Sequence, residues 1–242
     1  MRHPPTIPIH LALVLAFGTV LSTAGSASAQ LRVRGGVDLA NFFGDGVEDT
    51  DTRNGLGLGA AFSILSIGPV SISPEVWYRQ KGATNVEEFN QQLIEEGSAE
   101  IGLDYVEVPV LLRIDLGSLA GGKIVPYVNG GPAFGWRLDC SISVDADGGS
   151  TTRTCDDLES ENIEQTLRDY ELGAAFGGGF DFLILGGIGA INLDARVTQG
   201  LSRINETEDG ALDVRNRVLS IMLGYSFGLP GGGSGGGPRI VP

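Results

Sequence analysis

The sequence predicts an all-β protein: an eight-stranded antiparallel transmembrane β-barrel of the outer-membrane kind. Three observations carry that prediction. Apolar and polar residues alternate with period two along eight segments, long and short connections alternate between those segments, and acidic charge gathers in the long connections.

The chain opens on a segment unlike the rest. Arg2 supplies a positive start, LALVLAFGTVL at 11–21 an apolar run of eleven, and Ala27-Ser28-Ala29 a small-residue cleavage site. The run is too short for the ~20 residues of a spanning helix. Residues 1–29 therefore read as a secretory signal peptide, with a buried N-terminal helix as the alternative. His3 and His10 are the only two histidines, and both leave with that segment. Histidine-based nucleophilic pairs, metal sites and pH switches are then excluded from the mature chain.

Strands follow in order. Residues 31–43 and 55–65 alternate weakly. In 70–81, Val70, Ile72, Pro74, Val76 and Tyr78 oppose Ser71, Ser73, Glu75, Trp77, Arg79 and Lys81. The clearest segment is 104–116, where Val106, Val108, Val110, Leu112, Ile114 and Leu116 oppose Tyr105, Glu107, Pro109, Leu111, Arg113 and Asp115. Segments 124–138, 170–184 and 191–198 repeat the pattern, with Phe134, Trp136, Phe176, Phe180 and Leu193 on one face and Asn129, Arg137, Glu171, Asp181 and Asp194 on the other. A weaker strand at 216–227 completes eight. Pro74, Pro109, Pro126 and Pro132 each remove a ladder donor; Pro126 suits a strand start, and bulges are expected at Pro109 and Pro132.

Short turns at 66–69, 116–123 and 185–188 alternate with long polar loops at 44–54, 82–101, 139–169 and 203–214. That order puts the short turns on the periplasmic side and the long loops outside. The loops carry −3, −5, −7 and −3, so the remainder of the mature chain sums to +3. The whole chain carries −14, which argues against nucleic acid as a partner. Glycine, 38 of 242 residues, has no collagen-like period and falls mostly on the polar strand face and in turns. That density suits a crowded interior, and Trp136, Tyr170, Tyr225 and Phe227 gather toward strand ends as an interfacial girdle does. A soluble lipocalin-like ligand binder, with the faces exchanged, is the alternative. Arg215 and Arg217 fall on the apolar phase but at the loop end of their strand, within reach of headgroups.

SPEVWYRQKG at 73–82, YVEVPVLLRIDLG at 105–117 and PYVNGGPAFGW at 126–136 resemble the outer-membrane β-barrel family that includes PorT-like proteins. The matching positions are Pro74, Glu75, Tyr78, Lys81 and Gly82, then Tyr105, Glu107, Pro109, Leu111, Leu112 and Arg113. The resemblance implies an eight-stranded barrel in a Gram-negative outer membrane. PorT itself is linked to a secretion system, but these motifs mark the fold and do not carry that role over. The chain departs from the pattern after Phe227, the best match to a terminal aromatic. There LPGGGSGGG and PRIVP follow, and 229–242 reads as a Gly-rich flexible tail behind a barrel domain at 30–228.

The polar face sets Arg32, Arg34, Arg79, Lys81, Arg113, Arg137 and Arg196 against Asp38, Glu75, Glu107, Asp115, Glu171, Asp181 and Asp194. An eight-stranded barrel is only wide enough for side chains to fill it, so these groups are expected to pair and close it. A narrow or gated small-solute or ion path along the same residues is the alternative. Neither reading makes an enzyme, and no cofactor or metal is expected. Cys140 and Cys155 share the third loop of an exported chain, which favours a disulfide over two free thiols. Asp145-Ala146-Asp147-Gly148 is a fragment of a calcium loop, so the acidic loops offer loose divalent-cation binding without a defined site. In the second loop, Thr84 and Glu87 have capping-box spacing ahead of an apolar stripe, which predicts a short helix. Asn205-Glu206-Thr207 matches a glycosylation sequon. The expectation is a structural or interaction role, with outer-membrane lipid as surroundings and any protein partner at the external loops or the periplasmic tail.

Overall fold

The computed structural model describes residues 31–45, 50–84, 98–146, 149–155, 168–184, 189–204 and 213–227. The signal segment, the tail, the helix expected beyond Thr84, Asp147-Gly148, the turn at 185–188 and the sequon lie outside these residues.

Period-two alternation becomes ten strands: β1 (Leu31–Asp45), β2 (Asp51–Phe62), β3 (Leu65–Ile67), β4 (Val70–Thr84), β5 (Ser98–Asp115), β6 (Ile124–Ala146), β7 (Gly149–Thr154), β8 (Tyr170–Leu183), β9 (Gly189–Gly200) and β10 (Asp213–Phe227). Their order in the antiparallel sheet is β2-β1-β10-β9-β8-β6-β5-β4, and β2 pairs back onto β4. Closure uses eight strands and removes the edges an open sheet would expose. β3 continues the β2 side against β4, turning into it at Gly68, whose φ of 59° suits the first turn position. β7 pairs with β6 above the barrel.

The faces are inverted relative to a soluble protein. On β5, Val110, Leu112 and Ile114 are exposed, whereas Glu107 and Arg113 are buried. On β9, Ile191, Leu193 and Val197 face out while Asn192, Asp194 and Arg196 are buried. A water-soluble barrel would leave the charged face in solvent, so this arrangement disposes of the lipocalin-like alternative. On β6 the outward residues from Pro126 to Trp136 cover ten steps, about 26 Å for a strand tilted near 40°. That matches the apolar band of an outer-membrane barrel. Trp136 pairs with Tyr170 at its upper rim, and Phe227 stands edge-on to Tyr225 at the lower, with ring centroids 4.7 Å apart.

Two expectations are corrected. Much of the second and third long loops is strand: β5 starts at Ser98, β6 runs on to Ala146, and β7 follows it. The hydropathy phase flips above residue 105, so Ile101 and Leu103 point inward while Glu100 and Asp104 do not, and the pattern reads as broken though the strand continues. The prolines do not set the bulges. Around Pro109 the ladders skip two pairs on each side and resume the same register. The register shifts fall at Leu138, the extra residue facing Asp104 and Tyr105, and between Thr52 and Gly57.

Candidate functional site

The lumen holds the chain's buried charge. Among the described residues, twelve charged side chains are buried there, six cationic (Arg32, Arg34, Arg79, Lys81, Arg113, Arg196) and six anionic (Asp38, Glu75, Glu107, Glu171, Asp181, Asp194). A buried ion is costly unless paired and hydrogen-bonded, so equal numbers are what a dry lumen requires.

Near the short-turn end, Arg113 of β5 donates to Asp181 of β8 at 2.7 Å and lies over the Tyr127 ring, 3.6 Å from its centroid. Asn192 of β9 donates to the other Asp181 oxygen at 2.6 Å, and Arg32 of β1 donates to Ser73 of β4 at 3.4 Å. Asp115, 36% exposed at its side chain, joins Arg113 from the rim at 2.8 Å.

Glu75 of β4 is the hub of the next level. Arg196 of β9, from the opposite wall, meets it at 2.7 Å, Arg34 of β1 at 3.3 Å, and the Trp77 indole N–H donates to it at 2.7 Å. Asp194 lies beside this group, accepting from the Tyr127 hydroxyl at 2.7 Å and from Asn129 at 3.1 Å. Trp77 needs an empty wall behind it: a Cβ on Gly59 would stand 2.6 Å from the Trp77 Cε3.

One turn of the strands higher, Arg79 pairs with Asp38 at 2.6 Å and with Glu107 at 3.2 Å, and also donates to Ser220 at 2.8 Å. Lys81 bridges Glu107 at 2.7 Å and Glu171 at 3.2 Å, and Asn216 donates to Glu171 at 3.0 Å. Above these charges the lumen turns apolar: Phe42, Ala83, Ile101, Leu103, Tyr105, Ile142, Ile204 and Val214 form one cluster with Cys140, whose disulfide to Cys155 ties β6 to the end of β7.

The structure thus brings twelve of the fourteen charged candidates into the buried lattice. Asp115 sits at its rim, and Arg137 lies outside it, paired at 2.9 Å with Asp169 at the loop end. Sequence reading missed the neutral partners Trp77, Tyr127, Asn129, Asn192, Asn216 and Ser220. They lie on the inward phase, but nothing local tells a plain inward residue from one that completes an ion's hydrogen bonds. Among the described residues there is no cluster of three or more His, Cys, Asp or Glu that could hold a metal ion.

Among solved structures, a major outer membrane protein from Thermus thermophilus is 15% identical, with 83% of this chain and 99% of that one covered and a TM-score of 0.45. Neisserial surface protein A is 12% identical (85% and 99% covered, TM-score 0.44), and OprG from Pseudomonas aeruginosa is 14% identical (85% and 99% covered, TM-score 0.43). None of the curated proteins matches the chain. Residues 10–227 match the family described as outer membrane protein beta-barrel domain. A match over that much of the chain makes it a member of this family, an outer-membrane β-barrel with a buried, ion-paired interior.

Proposed function

We propose that this barrel is a closed scaffold that holds its external loops at the cell surface for structure or interaction, without enzymatic activity and without passing solute. The observation that carries the reading is Glu75 joined to Arg196 from the opposite wall and to Arg34, with the Arg79, Glu107, Lys81 and Glu171 chain above it. A conducting path would have to break several buried ion pairs at once. The acidic loops are the natural place for a protein partner or loosely held divalent cations, and the 229–242 tail offers a second contact on the periplasmic side. We read residues 1–29 as the export signal, 30–228 as the barrel domain, and the motifs at 74–136 as PorT-like within the wider family.

The test is conductance. Heat-modifiable, folded protein in planar bilayers should give no stable steps; reproducible steps would overturn the plug in favour of a narrow pore. An unboiled sample that is water-soluble and runs as the boiled one would count against the membrane barrel itself.

A further inference from the structure

The outer wall carries one patch that a lipid-facing surface should not have. Along β10 the outward residues read Arg215, Arg217, Leu219, Ile221 and Leu223, so two arginines continue the lipid-facing column upward, at the long-loop end. Arg203, just beyond β9, stands beside them through a shared partner: Asp213 binds Arg215 at 2.6 Å and lies 3.6 Å from Arg203. Arg217 has no carboxylate among the described residues. It donates to neutral Gln199 at 3.1 Å, and its guanidinium lies 4.7 Å from the centre of the Phe43 ring. Among the described residues, three cations therefore share one anion, on a chain whose net charge is −14.

The position selects the partner. An arginine at the top of an apolar column lies where phosphate groups of the outer leaflet begin, and its planar fork matches a phosphate in two-point hydrogen bonding. Phe43, level with Arg215 on β1, and Leu219 below Arg217 supply an apolar surface for acyl chain, whereas a free anion would gain nothing from it. The acidic loops above repel soluble anions but not one already held in the membrane plane. We propose that Arg203, Arg215 and Arg217 form a binding site for the phosphate headgroup of an outer-leaflet lipid, on the β1–β10–β9 side of the barrel. The proposal rests on the membrane-barrel assignment.

The test uses the full chain folded in zwitterionic detergent micelles, titrated with bisphosphorylated lipid A, its dephosphorylated form, or inorganic phosphate, and read as the rise in unfolding temperature. Only the phosphorylated lipid should stabilise the wild type. Arg217→Gln should weaken that binding about fivefold and Arg215→Gln with Arg217→Gln roughly 25-fold, following the usual cost of one basic group at a membrane surface. Arg153→Gln on β7, remote from the patch, should change nothing, and Asp213→Asn, which removes the anion paired with Arg203 and Arg215, should strengthen binding. Equal binding by wild type and the double variant, equal response to the dephosphorylated lipid, or an equal effect of inorganic phosphate would each overturn the site. Failure of the wild type to give a heat-modifiable band would instead strike the barrel assignment, and the site with it.

Discussion

On β5 the residues pointing inward below position 105 are Glu107, Leu111 and Arg113, and those above it are Ile101 and Leu103. The outward residues change in the opposite sense, from Val106, Val110 and Ile114 to Asp104 and Glu100. β6 repeats this across its bulge, with Asn129 inward below and Ile142 inward above. Backbone geometry is the same in both regions; what differs is the surrounding medium. Where lipid covers the wall, apolar residues belong outside and the lumen must satisfy its polar groups internally. Where water covers it, the same strands revert to an apolar interior. The crossover locates the outer membrane boundary from side chains alone, and Tyr78 marks it by donating to Asp104 at 2.6 Å.

The two regions should break by different mechanisms, and the ionic one at greater cost. Glu75→Ala leaves Arg34 and Arg196 buried without their shared carboxylate, an expected loss of about 3–5 kcal/mol. Urea unfolding in lipid vesicles, followed by the fluorescence of interior Trp77, measures it. Replacing Arg34, Glu75 and Arg196 by Leu and Met together with Asp194→Asn, since Asp194 lies 3.5 Å from Arg196 and 3.9 Å from Arg34, should recover much of that loss. Removing a whole buried ion cluster costs far less than orphaning part of it. A quadruple variant no better than the single one would mean that the lattice contributes more than mutual neutralisation.

The outer wall offers the sharpest probe of the boundary. Val110→Arg puts a charge in the lipid-facing band and should cost about 2–4 kcal/mol in the same assay. Gln80→Arg, outward on neighbouring β4 but above the crossover, should be close to neutral. Equal effects at the two positions would erase the boundary drawn here. In the upper region, Cys140→Ser with Cys155→Ser opens a link spanning 15 residues, worth no more than about 3 kcal/mol on the chain-entropy argument. That loss should appear as faster proteolysis of the β6–β7 hairpin, with the heat-modifiable barrel band retained.

The same crossover explains what could be read in advance. Alternation along 104–116 and 70–81 identified strands and their faces, because both are properties of consecutive residues, and the alternation of long and short connections between eight such strands identified the barrel. It could not extend β5 to Ser98 or β6 to Ala146, since a pattern that flips phase looks locally like a pattern that stops. The membership of the ionic set was legible from the inward phase; its pairing was not. Glu75 meets Arg196 across 121 positions of sequence. That contact depends on strand stagger around the barrel, and no single strand contains it. The Leu138 bulge was equally hidden, for Leu138 is neither glycine nor proline.

The smallest expected effect concerns pH, and it separates the two regions once more. Asp213, at the loop end of β10, accepts a hydrogen bond from Arg215, which holds its carboxyl below the ordinary carboxylate value of 3.8. A depressed pKa contributes stability that is present above the unfolded value and is lost as pH falls through the folded one. The contribution should therefore be intact at neutral pH and fade only below about pH 4. For an exposed pair it should amount to about 0.2–1 kcal/mol. Asp213→Asn should lower stability by that amount, evenly between pH 5 and 8 since no histidine follows His10 in the sequence, and converge with the wild type as pH falls below about 4. Urea midpoints of the two proteins across pH 3–8 make the comparison. A variant difference that persists undiminished at pH 3 would show that Asp213 acts through something other than its charge, such as the position of β10 in the wall.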